Sequence, residues 1–400
     1  MEEQTLPRYN QKHYYPVNIG DTFKDRYRII AKLGFGAYST VWLARDEKSK
    51  EYTSLKVCIQ DDTETSPILN EIKMLRRLAD VAKQPLKPGH DDHAGQLFTR
   101  FARDIFEIQG PTGRHHCIAM KPQGNSVRTL QERSADGKLP KLLVRSIIHR
   151  LWFSINWLHA GCGVVHTDIT PKNVLMESRD DTIFKDIEDE ESREPSVPIV
   201  TDRGPVYPHR PSKLELSGIP ILSDFGSMRL LEPMSTDWWM PDLYRAPEVL
   251  LKLPWEGHVD YWSMGVMTLE LLEAKNLFDP IDRVDHRYVL PIALAQYIGY
   301  LGPPPLEMIK QSPLFSEYFD ADGNWAYDYP IPKTSLEEFV TVIPPGEEKD
   351  LFLKYIRKQL TWDPEARVGS ADIIFDDWLM RPNEIMGPAF PSMAESDPIS

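Results

Sequence analysis

Asp168, Asn173 and Asp224 are the residues whose types and spacing are best suited to chemistry. Asp168 lies in the stretch "GVVHTDITPKNVL", residues 163–175, and Asn173 follows it five positions later. An aspartate placed in this way accepts the proton of an attacking hydroxyl, and the asparagine holds a magnesium ion. Asp224, in "SDFGS", supplies a ligand for the metal that bridges the β- and γ-phosphates of a nucleotide. Together they predict transfer of a phosphoryl group to a hydroxyl.

A glycine-containing segment, "LGFGAYSTVWLA", is the candidate for holding the phosphates of such a nucleotide. A dinucleotide-binding loop of the Rossmann type would require a helix directly after the glycines. Residues 40–43 instead favour a strand, which predicts a β-turn whose Gly34 and Gly36 let the backbone approach phosphates closely. Taken alone, an ordinary hairpin explains the segment equally well. The residues assigned here to nucleotide binding are Leu33, Gly34, Gly36, Ser39 and Val41.

Lys56 and Glu71 follow the glycine segment at regular spacing. Lys56 lies in a strand-like run fifteen residues after Val41, and Glu71 lies fifteen residues further on, in a predicted helix. An amine that contacts nucleotide phosphates and is held by a carboxylate from a helix is an arrangement used in phosphoryl transfer. Each residue alone would be interpreted as a surface charge. Their order and spacing predict that both belong to the same site as Asp168.

The elements that must position these residues fall into two regions of different pattern. Residues 27–60 alternate as three antiparallel strands, residues 66–79 have helical spacing, and strand-like runs occur near 97–109 and 115–120. From about residue 125 the pattern is helical. The clearest helical segments are residues 142–160, 259–274 and 349–362. The sequence therefore predicts an α+β fold, with a small β-rich lobe containing one main helix and a larger, mostly helical lobe.

The chain divides into four parts and contains one insertion. The predicted parts are an N-terminal extension at 1–19, the small lobe at 20–124, the large lobe at 125–382 and a C-terminal tail at 383–400. The insertion, at about residues 176–218, is acidic, then proline-rich, and poor in large apolar residues. Such a composition buries too little apolar surface to offset the entropy of ordering, so we predict a flexible loop there.

Composition narrows the possible partners and the compartment. The 60 acidic and 46 basic side chains among 400 residues give a net charge of −14, which disfavours direct nucleic-acid binding and favours basic partners. The three cysteines form no disulfide or zinc spacing and are expected to be reduced and buried. No signal peptide or membrane span is indicated. We expect a location in the cytoplasm, the nucleus or both.

Three further motifs complete an ordered series. Glu248 ends the run "DLYRAPEVL", Asp260 lies in "HVDYWSMGV" at the start of a predicted buried helix, and Arg367 lies in "TWDPEARVG". We expect Arg367 to form an internal ion pair with Glu248. With all of these motifs in order, the sequence resembles a eukaryotic protein kinase from about residue 20 to residue 382.

Within the kinases, the sequence resembles the SR-protein kinase family, whose members phosphorylate arginine/serine-rich splicing factors. The stretch "YYPVNIGDTFKDRYRIIAKLGFGAYSTVWLARD" is similar to the family's entry strand and glycine loop, including Ser39 in the third glycine position. "LHAGCGVVHTDI" keeps the family's threonine, Thr167, in the catalytic loop. The insertion between Asn173 and Asp224 falls where the family has its spacer. Arg245, before "APE", supports the broader kinase group to which the family belongs.

The resemblance implies a bilobal protein-kinase fold that uses ATP and Mg2+. Serine and threonine residues of proteins, with basic or RS-rich sequences, are the implied substrates. The strand "HHCIAMKPQG" resembles the one that leads to the kinase hinge, with Met120 lining the adenine pocket and the backbone of Lys121 and Gln123 as its hydrogen-bond partners. The catalytic set implied is Lys56, Glu71, Asp168, Thr170 and Asn173, with Asn173 and Asp224 as the metal ligands. The oligomeric state stays open.

Three positions depart from common kinase patterns. Thr167 replaces the arginine that clamps a phosphate on the activation segment, so we predict activity independent of phosphorylation at Ser235 or Thr236. Thr170 replaces the lysine that reaches the γ-phosphate, a loss of about 3 kcal/mol by analogy with oxyanion donors. Lys172 replaces a glutamate that reads an adjacent substrate arginine, which disfavours arginine directly beside the phosphorylated residue.

Two alternatives to an active serine/threonine kinase follow from these departures. A pseudokinase that binds nucleotide or a partner with little transfer is favoured only by Thr170, and Lys56, Asp168 and Asp224 oppose it. A small-molecule phosphotransferase shares the HxD and asparagine pattern. That alternative is disfavoured by the "APE" run and Arg367, which belong to a peptide-binding segment.

Overall fold

An antiparallel sheet of six strands forms most of the small lobe in this computed structural model. The structure describes residues 2–10, 13–61, 63–84, 93–111, 113–210 and 218–382. The strands are β1 (Thr22–Phe23), β2 (Tyr27–Gly36), β3 (Ser39–Asp46), β4 (Tyr52–Cys58), β5 (Ala102–Gln109) and β6 (Arg114–Met120), in the spatial order β1-β2-β3-β4-β6-β5. The prediction of three sequential strands over 27–60 is confirmed. The strand predicted from residue 97 begins later, because Ala94–Phe98 form a turn of 3-10 helix.

One long helix packs on this sheet, as predicted. After a short turn, α1 (Pro7–Asn10), the helix α2 (Pro67–Ala82) begins with a proline, whose missing N–H costs nothing in a first helical turn. Ile68, Ile72 and Leu75 lie on its buried face, at the spacing that predicted the helix. This face fixes the orientation of α2, and so the direction in which Glu71 points.

The large lobe is built around a helix that is buried along its length. The helices of the large lobe and of the insertion are α3 (Val127–Arg133), α4 (Lys141–Asn156), α5 (Thr182–Arg193), α6 (Pro247–Leu250), α7 (His258–Glu273), α8 (Leu290–Leu301), α9 (Leu306–Ile309), α10 (Phe315–Tyr318), α11 (Leu336–Phe339), α12 (Glu347–Arg357), α13 (Ser370–Ile373) and α14 (Asp377–Met380). The buried helix is α7. Every residue of α7 from Val259 to Glu273 is buried, which confirms the predicted buried helix. Helix α7 therefore provides a rigid base for the loops above it.

Short paired strands hold the loops between the lobes. They are β7 (Val164–Val165), β8 (Val174–Met176), β9 (Ile199–Thr201), β10 (Gly204–Val206), β11 (Pro220–Leu222) and β12 (Arg229–Leu230). β8 pairs with β11 and β7 pairs with β12, both antiparallel. These two pairs place the segment that starts at Asp224 beside the loop that contains Asp168.

The prediction of a flexible loop is wrong for the part of the insertion between residues 182 and 210. Helix α5 lies against the small lobe, where Phe184 and Ile187 share an apolar cluster with Ile30, Leu43 and Tyr52. A stripe of two or three apolar residues at helical spacing was enough to order the helix, although the segment as a whole is poor in them. Residues 211–217 of the insertion lie outside the described residues.

Ion pairs reinforce the contact between α5 and the sheet. Glu188 accepts hydrogen bonds from Arg45 at 2.6 Å, from the Tyr52 hydroxyl at 2.7 Å and from Arg28 at 3.3 Å. An acidic residue of the insertion thus forms ion pairs with basic side chains of β2 and β3. The insertion is a structural part of the small lobe.

The N-terminal extension also packs on the small lobe. The buried Lys32 amine of β2 donates to Glu2 at 2.8 Å and also to Glu3. The Tyr14 hydroxyl donates to the backbone oxygen of Gly36 at 2.6 Å. Residues before 20 therefore contact the strand that leads into the glycine turn and the turn itself.

Two further predictions concern the core and membranes. Cys58, Cys117 and Cys162 are buried and form no disulfide, as expected. Within the described ranges, none of the helices is both long and apolar enough to cross a membrane.

Candidate active site

Lys56 and Glu71 form an ion pair between the sheet and α2. The Lys56 Nζ atom lies 2.8 Å and 2.6 Å from the two carboxylate oxygens of Glu71. Burial opposes the charge on the Lys56 amine, but Glu71 and Asp224 outweigh burial and raise its pKa. Lys56 is therefore a fixed positive charge in the cleft between the lobes.

Two side chains of α2 hold the helix in the position that this ion pair requires. The Asn70 amide donates to the backbone oxygens of Gly226 at 2.9 Å and Met228 at 3.0 Å. The Arg77 Nε atom donates to the backbone oxygen of Cys162 at 2.6 Å. The helix is thereby joined both to the segment after Asp224 and to the chain just before the catalytic loop.

Asp168 and Asn173 are connected by two hydrogen bonds. The Asn173 amide donates at 2.8 Å to Asp168 Oδ2 and at 2.8 Å to the Asp168 backbone oxygen. Burial raises the pKa of Asp168, and although His166 opposes this rise, Asp224 adds to it. A carboxylate with a raised pKa is a better proton acceptor than an ordinary aspartate, which suits a general base.

Asp224 lies on the opposite side of the same site. Its φ of 68° is a left-handed backbone conformation that residues other than glycine rarely adopt. Burial opposes the ionisation of Asp224, but the charges of Lys56 and His166 outweigh it and lower the pKa of Asp224. The carboxylate is therefore ionised at neutral pH. An ionised carboxylate and the amide of Asn173 offer oxygen donors, which fit a magnesium ion.

The catalytic loop is anchored from below by Asp260 of α7. Its carboxylate accepts the backbone N–H of His166 and the backbone N–H of Thr167, each at 2.8 Å, and lies 2.8 Å from the ring of His159. Thr167 has a φ of 68°, which costs a β-branched residue about 1–3 kcal/mol. Because two hydrogen bonds to one buried carboxylate hold this strained backbone, the loop has a single defined shape.

The Thr167 side chain joins the loop to the activation segment, residues 224–248. Its hydroxyl donates to the backbone oxygen of Ser227 at 2.9 Å and accepts from the indole N–H of Trp239 at 3.0 Å. The guanidinium of Arg229 lies 3.8 Å from the centre of a Trp239 ring. The first residues and the middle of the segment are thus tied to Thr167 by neutral groups, at the position where an arginine would bind a phosphate.

A cleft of about 380 Å3 lies in front of the glycine turn. Leu33, Gly34 and Gln123 are among its lining residues, and the insertion contributes His209 and Arg210. A Cβ atom built on either Gly34 or Gly36 would meet nothing within 4 Å, so this backbone faces open space. The open backbone fits a turn that lies over phosphates.

The other residues predicted to bind nucleotide lie on, or directly after, strands of the small lobe. Ser39 and Val41 lie in β3, opposite Gly36 and Gly34 of β2 respectively. Met120 is the buried last residue of β6, and Lys121 follows it, with its amine 2.5 Å from Glu177.

The far end of the activation segment is fixed by the predicted ion pair. Arg367 donates two hydrogen bonds of 2.7 Å to the two carboxylate oxygens of Glu248, and both side chains are buried. Thr170 is half-buried and Lys172 is exposed. The charge of Lys172 acts on both Asp168 and Asp224, which places it beside the catalytic carboxylates.

Comparison with known proteins agrees with this geometry. Residues 111–379 match the family model described as the protein kinase domain. The chain is a protein kinase. A serine/threonine protein kinase of Aspergillus fumigatus is 34% identical over 385 residues, which cover 95% of this chain and 91% of that protein. The serine/threonine-protein kinase SRPK of Physarum polycephalum is 27% identical over 398 residues, 93% of this chain and 90% of that protein.

A third relative, also a protein kinase, matches over a shorter part of the chain. SRSF protein kinase 3 of Mus musculus is 36% identical over 176 residues, 44% of this chain and 30% of that protein. These similarities confirm the predicted SRPK-like serine/threonine kinase with a bilobal fold. Protein kinases generally use ATP and Mg2+ and act on proteins.

Several residues of the kinase site had little or no signal in the sequence. Arg100 is a second cation near Lys56; burial lowers its pKa to about 10, although Glu71 and Asp224 oppose the change. Its signal was a charge within the apolar run "LFTRF". The role of Asn70 had no sequence signal, because an asparagine on the polar face of a helix is ordinary. The hydrogen bonds of the Trp239 indole to Thr167 and Ser227 had no sequence signal either.

Proposed function

We propose that this kinase transfers the γ-phosphoryl group of ATP, bound with Mg2+, to serine or threonine hydroxyls in basic or RS-rich protein segments. The observation that supports active transfer best is the simultaneous presence of the Lys56–Glu71 ion pair and the Asp168–Asn173 hydrogen bonds. Protein kinases require an ion pair of the first kind for phosphoryl transfer, and an aspartate and an asparagine of the catalytic loop act in the same reaction as base and metal ligand. The proposed nucleotide contacts are those of Leu33, Gly34, Gly36, Ser39, Val41, Lys56, Met120, Lys121 and Gln123.

The side chains divide the work of the reaction. Asp168 orients the substrate hydroxyl and accepts its proton, and Asn173 holds Asp168 in place through its amide. Lys56 positions the phosphates, and Asn173 and Asp224 are the proposed metal ligands. Thr170 offers a hydroxyl donor near the transferred group. When bound, magnesium ATP supplies the phosphoryl group and neutralises the charge that develops on it.

Thr170 lowers the rate in this proposal without abolishing transfer. The missing lysine removes one contact out of several, and losing one such donor costs about 100-fold in rate. Lys56 and Asp168 stay in place. None of the contacts among the described residues favours the alternative of a pseudokinase.

Charge supports a basic substrate, but one whose arginines are spaced from the phosphorylated residue. The net charge of −14 favours basic peptides, and relatives bear the names SRPK and SRSF protein kinase. Lys172, beside the catalytic carboxylates, would repel an adjacent arginine. The carboxylate of Glu270 does not offer a site for a substrate arginine. It already accepts hydrogen bonds from Arg128, at 2.5 Å, and from Tyr244, so its charge is satisfied within the protein.

Three peptides of equal length test this proposal with radiolabelled ATP. The first has arginine directly beside each serine, the second has the same arginines separated from the serine by three neutral residues, and the third has glutamate in place of arginine. We expect transfer to both basic peptides, faster to the spaced one, and little to the acidic one. Preference for the acidic peptide would contradict a basic substrate, and strong selection for adjacent arginine would contradict the role given to Lys172.

We also propose that the kinase acts in the cytoplasm, the nucleus or both. The three buried, unpaired cysteines support a reducing compartment. Fluorescence microscopy of the tagged full chain tests this, and accumulation in a secretory compartment would contradict it.

A further inference from the structure

Glu256, His258 and Glu365 form a cluster of potential metal ligands in the large lobe, outside the kinase site. His258 is the first residue of α7, Glu256 lies two residues before it, and Glu365 lies in a turn of 3-10 helix, Pro364–Ala366. One potential ligand atom from each residue lies within 4.8 Å of the others. Two segments more than a hundred residues apart in the sequence are therefore brought together at this point.

The imidazole of His258 lies between the two carboxylates without bonding to either. Its Nδ1 atom is 3.7 Å from Glu256 and 3.9 Å from Glu365, both beyond hydrogen-bond range. This nitrogen is buried and has no hydrogen-bond partner among the described residues. A buried nitrogen without a partner is costly, and an ion placed between the three side chains would remove that cost.

The distances fit a small divalent ion. An ion at the centre of a triangle with these sides would lie at most about 2.5 Å from each ligand atom, and a shift of a few tenths of an ångström reaches zinc–ligand lengths. The guanidinium of Arg367 donates to the backbone oxygen of His258 at 2.9 Å. Its charge is already matched by Glu248, so the two carboxylates of the cluster are left to balance a bound cation.

We propose that Glu256, His258 and Glu365 bind a divalent transition-metal ion, for which zinc is the best candidate. An imidazole nitrogen and two carboxylates suit zinc, with water as the fourth ligand. Magnesium and calcium prefer oxygen ligands alone.

The bound ion would link two segments, one that supports the catalytic loop and one that supports the activation segment. His258 is two residues from Asp260, which anchors the loop, and Glu365 is two residues from Arg367, which holds Glu248. We therefore expect the metal to stabilise the large lobe, without a part in phosphoryl transfer.

Cobalt titration of the full chain, stripped of metal and free of nucleotide, tests the site directly. We expect one equivalent of Co2+ to give visible absorption bands of a four-coordinate site, which zinc then displaces. Zinc at saturation should raise the Tm by about 2 °C or more. His258→Gln should remove the bands and weaken zinc binding at least about 100-fold, more than the loss of an outer-shell partner costs.

Two variants separate metal binding from folding. Glu365→Gln changes a side chain that is 73% exposed, so it should weaken zinc binding and leave the metal-free Tm unchanged. His116→Gln is the matched control, because His116 lies 3.8 Å from a single carboxylate, that of Glu107. It should bind zinc as the unsubstituted chain does. Equal zinc affinity in Glu365→Gln and the unsubstituted chain, or the absence of four-coordinate cobalt bands, would overturn the proposal.

Discussion

The two ends of the catalytic loop differ in how completely they are held by the rest of the kinase. At one end, Thr167 is fully buried, its backbone is bound by Asp260, and its hydroxyl bonds to Ser227 and Trp239. At the other end, Thr170 is half-buried and Lys172 is exposed. The first end determines the shape of the activation segment. The second carries the side chains that we propose to face the reacting groups.

The two threonines therefore have opposite consequences for the activity of the kinase. Thr167 replaces a charged, phosphate-dependent clamp with neutral hydrogen bonds that are permanently present. Thr170 lacks the charge that a lysine would bring to the reacting end of the loop. The kinase is therefore expected to be always assembled but slow.

The largest expected effect comes from removing the base that lies between the two ends. Asp168→Asn should lower kcat about 10³-fold, because an amide accepts a proton poorly. Nucleotide binding should persist, since the Lys56–Glu71 ion pair is not touched. Steady-state transfer and nucleotide titration measure the two effects separately. Transfer that survived this substitution would contradict the assignment of Asp168.

A lysine restored at the reacting end should have the next largest effect. Thr170→Lys adds a cation near the transferred group and should raise kcat about 10–100-fold. Thr170→Val is the matched control, because it removes the hydroxyl while keeping the size, and it should lower kcat. An unchanged or lower kcat in Thr170→Lys would show that the threonine end does not limit the rate.

Removing the hydrogen bonds of the Thr167 hydroxyl should have a smaller effect on activity. Thr167→Val deletes one hydroxyl, while the Trp239 indole keeps its 3.1 Å hydrogen bond to the Ser227 backbone oxygen. The loss should be about 1 kcal/mol, or roughly fivefold in kcat/KM. Trp239→Phe should cost a similar amount, and the double variant should cost less than the sum, because both substitutions remove the same contact. Strict additivity would mean that the two residues act separately.

The smallest effect concerns the pH profile. Burial raises the pKa of Asp168, and the charge of Lys172 partly offsets this rise. Because protonated Asp168 cannot act as a base, kcat/KM falls as the pH falls through this pKa. In Lys172→Met the offset is lost, the pKa of Asp168 rises further, and the acid limb should move to higher pH. A neutral peptide must be the substrate, so that peptide affinity does not change. A limb that moved to lower pH would contradict the charge placement.

Sequence alone predicted the parts of the fold that depend on local periodicity and fixed motif spacing. Helix α2, the buried helix α7 and the ion pair of Arg367 with Glu248 all follow from the pattern of residues. The juxtaposition of Lys56 with Glu71 also agrees with their order in the chain. The helices follow from local periodicity, whereas the ion pair of Arg367 with Glu248 joins residues 119 positions apart and follows from the order of the motifs.

The insertion could not be predicted in the same way. Its average composition favoured a loop, but α5 is ordered by contacts with Leu43, Tyr52 and Arg45, which are more than a hundred residues away. The hydrogen bonds of Asn70 and Trp239 are likewise made by common polar atoms, and their partners are backbone oxygens or a hydroxyl. Such contacts leave no periodic or compositional signal.

We expect the activation segment to be held in the conformation needed for transfer without a phosphate on Ser235 or Thr236. The most direct measurement compares the unsubstituted kinase with the double variant Ser235→Ala and Thr236→Ala, both made in bacteria and shown by mass spectrometry to lack phosphate. Both should transfer phosphate to the basic peptide with the spaced arginines at equal kcat/KM, well above Asp168→Asn. An unphosphorylated kinase that is inert, and that gains activity when Ser235 or Thr236 is phosphorylated, would contradict this expectation.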